Sequence, residues 1–132
     1  MTPFGVKVRA LRDARGVTLK QMADELHISS AYLSALEHGK RGRPSPQLIR
    51  QICGYFGIIW EEAEELERLA DLSHPKVTVD ASDLSPKAVE LANRLANAIH
   101  QLDDAIIDRM LALLGENGGE RSAGAKRRAV RR

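Results

Sequence analysis

Residues that start and stop helices recur at short intervals along the first half of this 132-residue chain, and they leave little room for anything but helix. Gly16 ends a first helix outlined by Val6, Val8, Leu11 and Arg15. Thr18 is then an N-cap, Gln21 completes a capping box, and Val17 and Met22 are spaced as a hydrophobic staple, so a second helix runs from about Leu19 to Leu26. Ser29 caps a third helix that ends near Gly39, with Leu33 and Leu36 on its buried side. Ser45 and Pro46 open a fourth, because a proline at the first helical position gives up an N–H that has no partner there. Its stripe is Leu48, Ile49, Ile52 and Phe56, and Gly57 closes it. A fifth spans about Ile59 to Leu72, with Trp60, Ala63, Leu66, Leu69 and Ala70 expected inward and Glu61 and Glu62 in the first turn, where the helix dipole favours anions. Strand-forming runs are scarce, and the expected fold class is all-α.

Further on, His74 to Leu84 reads as a linker in which only Lys76 to Asp80 alternates like a strand, and a lone strand needs a partner. Ser85 caps a sixth helix with Pro86 at its first position. Along it Leu91, Leu95, Ile99, Leu102, Ile106, Met110 and Leu113 recur at steps of 4, 4, 3, 4, 4 and 3, which keeps one stripe aligned over residues 85–115. At about 1.5–3 kcal/mol each, these side chains are worth roughly 10–20 kcal/mol once buried, too much to leave in water. Either the helix folds back on its own domain or it packs on a second copy. Residues 116–132 turn to Gly, Ser, Ala and Arg and are expected to be disordered. Their basic tip, Lys126, Arg127, Arg128, Arg131 and Arg132, is either solubilising or an auxiliary phosphate contact. The expected organisation is therefore a domain over 1–73, a linker over 74–84, a long amphipathic helix over 85–115 and a tail over 116–132.

Charge and chemistry narrow the function. The net charge is only +2, yet residues 1–58 carry nine Lys/Arg against four Asp/Glu, residues 59–83 two against eight, and residues 84–132 nine against six. Within the acidic block, Glu61, Glu62, Glu64, Glu65 and Glu67 read first as a solvated helix face. A single cysteine, Cys53, excludes an internal disulfide or a Cys-paired zinc site and is expected to be a small buried hydrophobe. His27, His38, His74 and His100 are too far apart to share a metal, so no metal or cofactor is expected. No apolar run has the length of a signal peptide or a membrane span, which leads to the expectation of a cytoplasmic, nucleoid-associated protein. Without a phosphate-cradling glycine loop, or a nucleophile and base at readable spacing, an enzyme is not expected.

Two short helices joined by Leu26, His27 and Ile28, with small Ala23 inside the first, hold the second helix proud of the domain. One face of that second helix is small, and three cations with Gly and Pro follow it. At these residues the stretch TLKQMADELHISSAYLSALEHGKRGRP resembles the helix-turn-helix of phage-repressor-type, or xenobiotic-response-element, DNA-binding domains. The likeness covers about residues 5–58 and is carried by Arg12 and Gly16, the T-x-x-Q cap, Ala23, Ile28 and Ser29, Leu33, Leu36 and Glu37, and Gly39 and Lys40 ahead of a proline.

That resemblance implies a five-helix, lambda-repressor-like domain in which Ser29 to His38 is the recognition helix lying in the major groove of double-stranded DNA. Ser29, Ser30, Ala31, Ser34 and Ala35 are then the groove-facing set, since serine hydrogen-bonds several base edges and alanine meets a thymine methyl. Thr18, Lys20, Gln21, Tyr32, Lys40, Arg41 and Arg43 are implied backbone contacts, which give affinity and register rather than sequence information. Arg12 and Glu37 are implied to form a structural ion pair. Two departures stand out. His27 takes the turn position where relatives commonly carry Gly, and Leu19, Ala31 and Ala35 stand where long polar side chains are frequent. Part of the specificity is therefore expected from DNA shape. The expected function is a sequence-specific regulator on a palindromic operator, dimerising through Leu91, Leu95, Ile99, Leu102, Ile106, Met110 and Leu113. The alternative is an antitoxin-type or adaptor protein that binds a protein partner through the sixth helix or the acidic face, its DNA binding serving autoregulation.

Overall fold

Among residues 1–115, the part of the chain that the computed structural model describes, there are seven α-helices and no strand. These residues divide into two compact units, Met1–Val77 and a second that begins at Thr78.

The first unit holds α1 (Pro3–Arg15), α2 (Leu19–Glu25), α3 (Ser30–Glu37), α4 (Pro46–Phe56) and α5 (Trp60–Asp71). Four of them start on a hydroxyl: Thr2 accepts from the Gly5 N–H, Thr18 from Gln21, Ser29 from Tyr32 and Ser45 from Leu48. Each hydroxyl satisfies a first-turn N–H that has no partner within its helix. Gly16 and Gly57 end α1 and α4 at φ 67° and 68°, a left-handed conformation that a Cβ disfavours. α1 packs on both α3 and α5. The core between the helices closes around Phe4, Val8, Met22, Leu33, Ile52 and Leu66, none of which is exposed.

Three local expectations are corrected. The first helix begins at Thr2 and Pro3, a cap followed by proline, so its inward face is Phe4, Val8 and Arg12, and Val6 is 56% exposed. Trp60 is not a core residue: it is 80% exposed. At about 100° per residue, six positions from Leu66 turn Trp60 roughly 120° away from the buried direction. Ala63 and Leu69, each three positions away, stay half-buried. The stretch 76–80 forms no strand, and with no sheet to join, Val77 and Val79 are 75% and 65% exposed.

The larger correction lies in the second unit, where residues 85–115 are not one helix. Ser85 caps α6 (Pro86–Ala98), a 3-10 turn follows over Ile99–Gln101, and α7 (Asp104–Leu114) starts anew. Leu102 is extended, at φ −72° and ψ 137°, and the Asp103 carboxylate accepts from the Ile106 N–H at 2.9 Å. Asp103 followed by Asp104 is itself a helix-start signal. A regular apolar spacing runs straight over such a break, because it counts residues and not backbone continuity. No residue of α6 or α7 is buried. Leu91, Ile99 and Leu113 are exposed, while Leu95, Leu102, Ile106 and Met110 are half-buried. The expected disordered basic tail lies outside the described residues.

Candidate nucleic-acid interface

The start of α2 is fixed reciprocally. Thr18 Oγ1 accepts from the Gln21 N–H at 3.0 Å, and Gln21 Oε1 accepts from the Thr18 N–H at 2.8 Å. After α2 the chain turns through His27 at φ 59°, a left-handed position that histidine tolerates better than most residues. The Ile28 N–H donates back to the Ala23 carbonyl at 3.0 Å, and Ala23 is wholly buried. Any larger side chain there would press α2 away from the turn.

The far end of α3 is clamped. Leu33 and Leu36 sit in the core, and Glu37 is only 2% exposed. Arg12 Nε donates to Glu37 Oε2 at 3.3 Å, and Arg12 Nη2 lies 3.1 Å from both carboxylate oxygens. Burial pushes the Glu37 carboxyl above its ordinary range, and the charge and hydrogen bonds of Arg12 oppose this without cancelling it. The carbonyl of Glu37 is held as well, accepting from the Thr2 N–H at 3.0 Å and the Thr2 hydroxyl at 3.2 Å. Gly5 lies against the same carbonyl so closely that a Cβ would stand 2.1 Å from its oxygen.

With one end pinned, the other end of α3 faces outward. Ser29, Ser30 and Ala31 are exposed, and Tyr32, Ser34 and Ala35 are half-buried. The Ser29 oxygen already accepts from the Tyr32 N–H at 3.0 Å, leaving its O–H to donate. Thr18, Lys20 and Gln21 are exposed at the start of α2, and Gln21 keeps its side-chain NH2 free of the capping box. Lys40 and Arg41 are exposed beyond α3. The Arg41 guanidinium lies over the Tyr32 ring, 5.6 Å from its centroid, a cation–π contact that ties this charge to the helix.

Arg43 is differently placed. Its Nε donates to Asp71 Oδ1 at 2.8 Å, its Nη2 lies 2.6 Å from the same oxygen, and its Nη1 donates to the Pro44 carbonyl at 2.7 Å. Its side chain is 19% exposed. Thus Tyr32 and Arg41 are brought together with the start of α3, while Arg43 is turned to the last residue of α5.

Sequence reasoning does not single out Asp71, Gly5, Thr2 or Ser73, although the Ser73 hydroxyl accepts from the Phe4 N–H at 2.9 Å across 69 residues. Thr2 carries a local signal only as the cap of α1; the contacts that Asp71, Gly5 and Ser73 make, and that of Thr2 with Glu37, reach distant elements and have none. Arg15 is similar: it donates to the Tyr55 and Phe56 carbonyls and lies 5.6 Å over the Phe56 ring, satisfying the open end of α4. Cys53 is half-buried, and its thiol is pushed up by burial and then by the charges of Glu67 and Glu62, which disfavours the reactive thiolate. Among the described residues no group of three or more His, Cys, Asp or Glu is placed to hold a metal ion, and no helix is long and apolar enough to cross a membrane.

A helix capped into a tight turn, followed by a second helix pinned at one end and open at the other, defines a helix-turn-helix DNA-binding domain. Residues 3–66 match the family model described as a helix-turn-helix domain. Residues 3–66 are thus a helix-turn-helix domain, and the likeness to DNA-binding regulators supports a transcriptional regulator rather than an enzyme. It is 43% identical over 61 residues to the HTH-type transcriptional regulator RghRB of Bacillus subtilis (strain 168), a match covering 46% of this chain and 44% of that relative. It is 29% identical over 134 aligned positions to the HTH-type transcriptional repressor RghR of the same organism, covering 93% of this chain and 98% of the relative. No solved structure gives a significant match.

Proposed function

We propose that this regulator binds a palindromic operator as a homodimer, with α3 of each copy in a major groove. The carrying observation is the asymmetry of α3: Arg12, Thr2 and Gly5 fix its end at Glu37, while Ser29, Ser30 and Ala31 are left to solvent. The five helices of the first unit then work as a lambda-repressor-like domain. Ser29, Ser30, Ala31, Ser34 and Ala35 meet base edges, and Thr18, Lys20, Gln21, Tyr32, Lys40 and Arg41 meet the sugar-phosphate backbone. Small side chains give few bidentate base contacts, so DNA shape carries a share of the specificity.

In the second unit, Leu91 and Ile99 on one side of the break and Leu102, Ile106 and Met110 on the other leave apolar surface open. A second copy covers it and sets the two α3 helices one turn of DNA apart. The likeness to RghR, a repressor by name, extends over nearly the whole of both chains and supports repression as the direction of control. Selection of bound duplexes from a random pool tests this reading: it yields an inverted repeat whose half-site centres lie about 10–10.5 base pairs, or a multiple, apart. Enrichment of a single unrepeated site would overturn the dimeric reading, and no enrichment would overturn the assignment of α3.

A further inference from the structure

We infer that Asp71 restrains Arg43, holding back a phosphate-seeking cation until DNA displaces the carboxylate. This rests on the DNA-binding reading of α3 and the loop behind it. Three cations follow the recognition helix, and two of them, Lys40 and Arg41, are exposed. Arg43 differs from both: its Nε donates to Asp71 Oδ1 at 2.8 Å, its Nη2 lies 2.6 Å from the same oxygen, and its Nη1 donates to the Pro44 carbonyl at 2.7 Å. A guanidinium has five N–H donors in a fixed fork, and with Nε on a carboxylate and Nη1 on a carbonyl fewer remain to grip a phosphate bidentately.

The partners are unequal in exposure. The Asp71 side chain is 57% exposed and that of Arg43 only 19%. Open to water on the aspartate side, the pair contributes little to folding. Asp71 ends α5, a helix outside the helix-turn-helix, and Arg43 is separated from it by 28 residues. What the pair does control is the charge offered by the loop: with Asp71 in place, Arg43 and Asp71 together present no net charge to an approaching duplex. A phosphate that replaces the carboxylate gains a bidentate partner and leaves Asp71 hydrated. Asp71 is thus a positioning residue that lowers affinity for arbitrary DNA, where the added contact would carry no sequence information.

The test measures association of the full chain with a fluorescein-labelled mixed-sequence duplex by anisotropy, over about 50–200 mM salt. Asp71→Asn keeps the shape and removes the charge. It should tighten binding roughly three- to tenfold near 0.1 M salt and steepen the salt dependence by about 0.9 for each Arg43 that reaches a phosphate. Asp71→Glu, which restores the carboxylate, should return both quantities to wild-type values. In an Arg43→Ala background, Asp71→Asn should change neither. An unchanged or weaker Asp71→Asn, a gain that persists without Arg43, or an Asp71→Glu that behaves like Asp71→Asn would each overturn the restraint while leaving the DNA-binding reading intact. If the wild-type chain and Asp71→Asn both fail to bind the duplex, the DNA-binding reading itself falls, and the restraint with it.

Discussion

Arg12 grips both carboxylate oxygens of Glu37 across 25 residues of sequence, with Nη2 3.1 Å from each and side chains only 10% and 3% exposed. Removing one partner leaves the other charged and out of water. Arg12→Ala and Glu37→Ala should each lower unfolding free energy by about 3–5 kcal/mol, read from denaturant midpoints. Replacing both with apolar residues of similar volume should recover most of that loss. A single substitution costing under about 1 kcal/mol would show the pair to be solvated.

The same carboxyl makes stability depend on pH in an unusual direction. Its folded pKa is raised by burial, so the folded state holds the Glu37 proton more tightly than the unfolded chain does. The contribution of this group is full below the ordinary carboxylate range and is lost as pH rises through the elevated folded value. Stability of the wild type relative to Glu37→Gln should therefore fall on going from acid into that window, then level off. Unfolding curves of both proteins across this range check the sign, and a relative stability that rises with pH would contradict it.

Gly5 sets how closely α1 approaches the end of α3. A Cβ there would lie 2.1 Å from the Glu37 oxygen and 2.8 Å from its carbonyl carbon, both backbone atoms that cannot rotate away. Gly5→Ala should cost about 1–3 kcal/mol through forced separation of the helices. In a domain of this size the melting temperature drops by about 4–8 °C for each kcal/mol. DNA affinity should fall further than the fraction unfolded explains, because α3 is displaced. Normal melting in this variant would mean that the two helices part without cost.

Arg41 and Tyr32 act as a unit at the edge of α3, the guanidinium lying 5.6 Å from the ring centroid. Arg41→Ala should weaken binding to all duplexes and flatten the salt dependence by about 0.9 for each phosphate that Arg41 no longer neutralises. Tyr32→Ala should weaken binding while leaving the slope nearly unchanged, since the cation remains but is deprived of its platform. Salt titrations of both variants separate the two effects, and equal slopes for Arg41→Ala and wild type would remove Arg41 from the phosphate-binding set.

Much of the fold can be read from caps and stops because these signals are local. Thr18 with Gln21, Ser29, Ser45 with Pro46, and Ser85 with Pro86 all open helices where expected, since a hydroxyl and the N–H three residues on decide the matter among themselves. Periodicity misleads where it stands in for backbone. The stripe from Leu91 to Leu113 continues in register across Leu102 and Asp103, yet the helix stops there because Asp103 caps a new one. Trp60 is a related case: its hydrophobicity suggests burial, while its angular position on α5 turns it to solvent. For the interface, the small exposed face of α3 and the cations after it stand side by side in sequence. The contacts that orient them, Gly5 on Glu37 and Asp71 on Arg43, join residues more than 25 apart, and no local pattern announces either.

Whether α3 and its flanking cations grip a duplex is tested most directly by the salt dependence of association. A dimer offering Lys20, Lys40 and Arg41 from each copy makes roughly six phosphate contacts, so its affinity for a mixed-sequence duplex should fall about a thousandfold between 50 and 200 mM salt, with a logarithmic slope near −5. No binding at the low end of that range, or binding indifferent to salt, would contradict it.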